Sequence, residues 1–278
     1  NSPLNDSYYN TSSIVYNVSS SESGSGTIVA DVNNSLVSWW RMDDLNSSGG
    51  VVDYMGRNNG TAVDDAVQVD NGKFGKGFAF DGAGDYVDVS GVNLSSSAES
   101  GSLSVWVKSD FDESSDSSYH YIYGAGSGAS STFKLLYQSD GDRYLLYTNE
   151  TSRIIWNTPT DLVGWFHLVT VWNSSGTWLY KDGAQVGSDS GDDRHQISTD
   201  AIFLGANYHS AGGNQPWNGS LDDFMIFNKS LSAEEILSLY NATALAHSET
   251  LNDGGHEFRA WTQDLAGNID ASGVQSFN

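Results

Sequence analysis

At 278 residues the chain is long enough for one large domain or two ordinary ones, with a core that needs no staples. Cysteine is absent, which excludes a disulfide framework and leaves packing, hydrogen bonds and metal as the sources of stability. Thirty-five acidic residues against 12 basic ones give a formal net charge of −23, a field that repels nucleic acid and anionic lipid and favours cations, neutral glycans or basic partners.

The first 35 residues hold two β-rich runs, SSIVYNVSS and GTIVADV, separated by a Ser/Gly segment. They read as two strands and a loop, too little for a core of their own. LVSWWRMDD (36–44), DYMGRNNGTA (53–62) and GKFGKGFAFDGAGDYVDV (72–89) follow. Then come SLSVWVK (102–108), YHYIYG (119–124), TFKLLYQ (132–138), RYLLYT (143–148) and SRIIW (152–156), joined by Gly, Ser and Asp turns. WFHLVTVW (165–172) is apolar on both faces and reads as a central strand. In GTWLYKDGAQVG (176–187) the pair Asp182-Gly183 suits a type I′ hairpin turn, whose two central residues both need positive φ. After AIFLGANY (201–208), the stretch 217–240 opens as a strand around Leu221, Phe224, Ile226 and Phe227. It closes as a short helix, with Ser232 as N-cap, Glu234 and Glu235 in the first turn, and an apolar stripe of Ile236, Leu237 and Tyr240. In the tail, Phe258, Ala260 and Thr262 alternate with Glu257, Arg259 and Trp261, ahead of a DLAGN turn and a closing GVQSFN strand. Many short strands with almost no helix mean a two-sheet sandwich.

The strand-plus-helix at 217–240, with the three motifs at 36–44, 53–62 and 72–89 in the same order, resembles laminin G-like (concanavalin A-like) jelly-roll domains over about residues 36–243. The tail, in which a His-x-Phe-x-Ala strand leads into Asp-x-Ala-Gly-Asn, resembles the last strands of bacterial and archaeal immunoglobulin-like surface repeats, and residues 3–32 resemble the first strands of that fold. The resemblances together imply an all-β protein: a laminin G-like jelly roll (36–243) inserted into a split immunoglobulin-like β-sandwich (1–35 plus 244–278).

The jelly-roll resemblance also implies a calcium ion where the first strand, the Asp-x-x-Gly loop and the Asp-Asp strand meet. Carried over by motif, it nominates Asp43 or Asp44, Asp53, Asn58, and Asp222 or Asp223 as ligands. Arg57 is a departure that puts a second cation beside that ion, and the alternative is that these carboxylates cap turns. A ligand site for sugars falls in the loop 205–217, where Tyr208, His209, Asn214, Gln215 and Trp217 mix aromatic faces with amides. In the resemblance Trp217 stands where relatives carry a buried Phe.

Catalysis is not expected. Retaining enzymes that cut β-glucans need two carboxyls about 5 Å apart, and the eight glutamates offer no pair at alternate strand positions. The six histidines lack metal-ligand spacing, and no Gly-x-Ser-x-Gly elbow occurs. Asn-x-Ser/Thr sequons at Asn5, Asn10, Asn17, Asn33, Asn46, Asn59, Asn93, Asn149, Asn173, Asn218, Asn228 and Asn241 are candidate glycosylation sites. The polar opening carries no signal peptide, so the chain reads as cytosolic or as a mature or excised piece of a secreted protein, and the sequons favour an extracellular or cell-surface one. The expectation is a non-catalytic surface or filament-forming adhesive unit, partnered by copies of itself or tandem repeat units, and by glycans or surface proteins. It involves neither nucleic acid nor membrane insertion. The alternative is a carbohydrate-binding module of a secreted glycan-active protein.

Overall fold

The computed structural model describes residues 13–19, 26–92, 100–110, 119–125, 133–148, 153–158, 162, 164–190, 202–207, 216–241 and 244–278. The chain opens on strands β1 (Ser13–Ser19) and β2 (Thr27–Val32). Six strands follow: β3 (Leu36–Leu45), β4 (Val51–Asp53), β5 (Thr61–Val63), β6 (Val67–Val69), β7 (Gly77–Asp81) and β8 (Tyr86–Asp88). The middle of the chain supplies β9 (Gly101–Ser109), β10 (Tyr119–Ala125), β11 (Phe133–Gln138), β12 (Arg143–Tyr147), β13 (Arg153–Asn157) and β14 (Phe166–Asn173). Then come β15 (Gly176–Lys181), β16 (Ala184–Asp189), β17 (Ile202–Leu204) and β18 (Asn218–Phe227). Helix α1 (Ala233–Tyr240) precedes β19 (Ala244–Thr250), β20 (His256–Gln263), β21 (Ile269–Ala271) and β22 (Gln275–Phe277).

Two sheets face each other. One runs β13-β12-β11-β10-β17-β8-β5; the other runs β16-β15-β14-β9-β18-β3-β4, with β7 also paired to β18 and β6 to β7. Period-2 alternation explains the layer between them, because side chains on successive residues leave opposite faces of a strand. From β3 Trp40 and Met42 turn inward, from β14 Phe166, Leu168 and Trp172, and from β18 Leu221, Phe224 and Ile226. The interleaved residues Trp39, Val169, Val171, Met225 and Phe227 form a second core on the outer face of the same sheet, where they meet Ile236 and Leu239 of α1 and Val29 and Trp261 of the terminal strands. Covered on both faces and flanked by β15 and β9, β14 is the interior strand its composition indicates. Each fully buried aromatic or aliphatic side chain contributes about 1.5–3 kcal/mol.

The two ends of the chain are joined. β1 pairs antiparallel with β19, and β2 with β20, which carries β21 and β22 on its other edge. A third core fills the space between these small sheets, with Ile14, Tyr16, Ile28, Val32, Leu245, Phe258 and Phe277 among its members. β20 is therefore buried on both sides. Phe258 and Ala260 face the terminal core while Trp261 faces the jelly-roll sheet, edge-on to Trp39 at 6.4 Å between centroids.

Local chemistry agrees with these elements. Ser232 Oγ accepts from Glu235 N–H at 3.2 Å and Glu235 Oε2 accepts from Ser232 N–H at 2.9 Å, a reciprocal capping box. Asp182 and Gly183 take φ of 49° and 80° in the β15–β16 hairpin, as a type I′ turn requires. Where alternation had suggested a plain β18, the structure has a bulge. Asp223 sits at φ 47° and pairing slips between Asp222 and Met225, so Leu221 and Phe224 both face inward although three positions apart.

Candidate functional site

The bulge in β18 delivers Asp222 and Asp223 to the outer face of the sheet, beneath the terminal strands. Asp222 Oδ2 accepts from the N–H groups of Lys73 (2.8 Å) and Phe74 (3.0 Å), and its Oδ1 from Asp223 N–H (2.8 Å). That carboxylate therefore holds the loop before β7 against the sheet. Asp223 Oδ1 accepts from Trp39 Nε1 at 2.5 Å, while its Oδ2 is buried without a partner. Burial disfavours the charged form of both. It raises Asp222 well above the usual carboxylate range and pushes Asp223 up to about 7, against the opposing pull of the Trp39 hydrogen bond.

Arg41 and Asp43 lie beside this pair. Arg41 Nη2 meets Asp43 Oδ2 at 2.6 Å and also donates to the Gly267 carbonyl of the DLAGN turn. Asp43 Oδ1 accepts from Lys76 N–H at 2.8 Å, and burial raises its carboxyl too. Asp44 is exposed and only 3.5 Å from Arg41. With Gly75 N–H donating to the Leu265 carbonyl at 3.1 Å, this cluster docks the tail turn onto the jelly roll.

Asp53 has a different task. Oδ1 accepts from the N–H groups of Trp39 (2.9 Å) and Met55 (3.0 Å), and Oδ2 from those of Arg57 (3.1 Å) and Asn58 (2.9 Å). The side-chain amide of Asn58 meets Ser38 Oγ at 2.7 Å. Arg57 Nη1 donates to the carbonyls of Leu36 and Val37, both at 3.0 Å.

These residues do not fit calcium as nominated. The ion needs six to eight converging oxygens, yet no three of Asp43, Asp44, Asp53, Asp222 and Asp223 bring carboxylate oxygens within 4.8 Å of one another. Four N–H donors occupy the Asp53 carboxylate, and Arg41 and Arg57 already stand as the cations against Asp43 and against the β3 carbonyls. Asp43, Asp53 and Asp222 act as acceptors that pin loops through backbone N–H groups, Asp223 accepts from the Trp39 indole, and Asp44 is exposed.

Among the described residues the one set of three that does converge is Glu235, His247 and Glu249. Lys229 Nζ sits between the two glutamates, at 2.9 Å from Glu235 Oε1 and 3.0 Å from Glu249 Oε2. Tyr16 donates to Glu235 Oε1 at 2.8 Å. Lys229 holds Glu235 below its usual range despite burial, and burial raises Tyr16. This set, which joins α1 to β1 and β19, had no signature in the sequence beyond Glu235 in a helix first turn.

Of the sugar-site candidates, Tyr208, His209, Asn214 and Gln215 lie outside the described residues. Trp217 is described, and the expectation for it is corrected. It is fully buried in the jelly-roll core, with Nε1 donating to the Lys108 carbonyl at 3.2 Å. Its ring has no free face for a sugar, because the residue just ahead of β18 packs between the sheets. Of the sequon asparagines, Asn17, Asn33, Asn59, Asn228 and Asn241 are exposed and Asn46, Asn173 and Asn218 are half-buried. Asn5, Asn10, Asn93 and Asn149 lie outside the described residues.

A family model described as the concanavalin A-like lectin/glucanases superfamily, of laminin G type, matches residues 81–237, more than half the chain. The chain belongs to the concanavalin A-like superfamily. The match contains Asp222 and Asp223 and begins after the segments that carry Asp43, Asp44, Asp53 and Asn58. Among solved structures, the concanavalin A-like fold aligns with domain 4 of AbnA, a GH43 extracellular arabinanase from Geobacillus stearothermophilus, in complex with arabinotriose. That alignment has 17% identity and a TM-score of 0.57, over 78% of this chain and 100% of that one. A Trypanosoma rangeli sialidase in complex with the inhibitor DANA aligns at 15% identity and TM-score 0.57, over 74% of this chain and 33% of that one. The botulinum neurotoxin serotype D binding domain aligns at 22% and 0.57, over 75% and 52%. The chain thus spans a third of the sialidase and about half of the neurotoxin fragment. At these identities the likeness is one of fold. No match was found among curated proteins. No helix among the described residues is long and apolar enough to cross a membrane.

Proposed function

We propose that this protein is a non-catalytic extracellular surface unit in which an immunoglobulin-like base, split between residues 1–35 and 244–278, displays a glycan-binding concanavalin A-like jelly roll. The observation that carries this reading is the pairing of β1 with β19 and of β2 with β20. The chain enters and leaves through one small unit, and the whole jelly roll is an insertion between its strands. An apolar core joins the two, with Trp39 and Trp261 in contact, so the base is a fixed mount rather than a tethered neighbour. In an array or filament, bases would abut and jelly rolls project.

Binding rather than cleavage is supported by where the described glutamates lie. Glu234, Glu235, Glu249 and Glu257, the described glutamates, sit on α1 and the terminal strands and not on the jelly-roll sheets, whereas retaining hydrolysis needs two carboxyls about 5 Å apart beside the substrate. Glycans are the favoured ligand because the arabinanase domain that aligns over its full length is a structure with arabinotriose, and because a net charge of −23 disfavours polyanions. The test is a glycan array that includes arabino-oligosaccharides, run beside electron microscopy of the purified chain. Binding without turnover, with strings or fibres of the protein, is the expected result. Release of sugar would overturn the non-catalytic reading, and an empty array would overturn the glycan-binding one.

A further inference from the structure

The outer face of the larger sheet is covered at β3, β14 and β18 by α1, β2 and β20. β15 lies at the rim of that cover. Its alternation turns Thr177 and Leu179 inward, both buried, and Trp178 and Tyr180 outward, where they pack beside Val171 and Val169 of β14 and stay only half-buried. Successive outward positions on one strand stand about 7 Å apart, so the two rings are neighbours on one surface. β16 extends it. The register slips between Leu179 and Tyr180, so Gln185 lies opposite Tyr180 and Ser188 opposite Trp178, and both are exposed on the outer face although three positions apart. Leu237 of α1 borders the surface at the hairpin turn, resting on Gly183 with 51% of its area exposed.

The hydrogen-bonding groups of this surface are uncommitted and within reach of solvent. The Trp178 indole N–H, the Tyr180 hydroxyl, the Gln185 amide and the Ser188 hydroxyl have no partner among the described residues, and none of them is a buried polar atom. None carries a charge. The charges of the adjoining turn answer each other, with Lys181 Nζ at 2.5 Å from Asp182 Oδ2. In a chain of net charge −23 the molecule as a whole repels polyanions, and a second copy would bring the same charge to the contact. A neutral ligand meets neither obstacle. A sugar ring is amphipathic in the matching sense, because its C–H face stacks on an aromatic ring while its hydroxyl rim takes amide and hydroxyl partners.

We propose that Trp178 and Tyr180 are the platform on which the jelly roll stacks a neutral oligosaccharide, with Gln185 and Ser188 as hydrogen-bond partners of its hydroxyl groups. The inference rests on the glycan-binding reading above and gives that reading a place on the molecule, the outer face of the β15–β16 hairpin.

The test runs the full chain, Trp178→Ala, Trp178→Phe and Gln185→Ala on an array of neutral glycans with arabinotriose among the probes, and titrates each hit by calorimetry. A wild-type hit should weaken at least about tenfold in Trp178→Ala, as loss of a stacked aromatic face implies, and should stay nearer wild type in Trp178→Phe, which keeps a ring. Gln185 is exposed, so Gln185→Ala should lower affinity several-fold at an unchanged melting temperature, which keeps the result independent of folding. A hit that neither Trp178→Ala nor Gln185→Ala weakens would overturn the platform and leave the glycan-binding reading standing. An array empty for wild type would overturn that reading and the platform with it. Self-association of wild type that Trp178→Ala abolishes, with glycan binding unchanged, would assign the surface to a second copy instead.

Discussion

Trp39 and Asp223 meet at 2.5 Å, indole N–H to carboxylate, across β3 and β18, and this contact puts a titratable carboxyl at the centre of the seam between base and jelly roll. The Asp223 carboxyl is raised to about 7 by burial, so between its unfolded value and that pH the folded state holds a proton that the unfolded state has released. Stability from this group is therefore present at low pH and is lost as pH rises through that window. Asp222, raised for the same reason, acts in the same direction. His167 opposes them. Buried with Ser104 Oγ at 2.7 Å and lowered to about 3, it loses stability as pH falls below the unfolded histidine value of about 6.5.

Asp223→Asn isolates the first effect. The stability difference between variant and wild type should shift in the variant's favour by about 1.4 kcal/mol per pH unit from about pH 4 to about pH 7, then level off. Urea unfolding at a series of pH values measures it. A difference independent of pH would show that Asp223 is ionised throughout.

Lys229→Ala should be among the most damaging single changes at the junction. It leaves Glu235 and Glu249 facing each other and Tyr16, with side chains only 5% and 25% exposed, and breaking a buried pair by removing one partner costs about 3–5 kcal/mol. The network spans both ends of the chain and α1, so the expected signature is loss of protection of β1 and β19 amides in hydrogen exchange as well as a lower denaturation midpoint. Unchanged exchange in those strands would mean the network is not what joins them.

The same network explains what the sequence concealed. The all-β class, most strands, the helix cap and the Asp182-Gly183 turn were legible because each depends on neighbours within a few residues. β19 was not. Its inward positions are Leu245, His247 and Glu249, and two of those three are ionisable, so no apolar alternation marks it. They are tolerated only because Lys229 and Ser232 meet them from residues distant in sequence. The candidate metal centre was legible as a concentration of carboxylates at the family motifs. Which way each carboxylate would turn was not, because the N–H groups of residues 55–58 and 73–76 that claim them become available only when those loops fold.

Trp217 gives a prediction of opposite sign to the one its composition suggested. Buried in the core, it should lose about 3–5 kcal/mol on change to Ala, and any loss of glycan binding would follow from unfolding. Trp217→Phe keeps most of the packing and gives up the bond to the Lys108 carbonyl, for about 0.5–1.5 kcal/mol, and should bind glycan as wild type does. A binding defect in a folded Trp217→Phe protein would return the residue to the ligand site.

Calcium should leave the melting temperature unchanged, and so should a chelator. A ligand that binds only the folded state stabilises it by RT ln(1 + [L]/Kd), about 2.7 kcal/mol at a hundredfold excess over Kd, so even weak occupancy is visible in a melting curve. The argument against such occupancy rests on Asp53 and on the two arginines. Every oxygen of the Asp53 carboxylate already receives two N–H donors, and Arg57 donates to the β3 carbonyls at 36 and 37 that a cation would otherwise claim. Arg57→Ala would free those carbonyls while leaving the Asp53 turn intact, and it supplies the control. If calcium stabilises neither protein, the acidic loops are structural. If it stabilises wild type, Arg57 must move aside to admit the ion, and the laminin G-like calcium centre is restored.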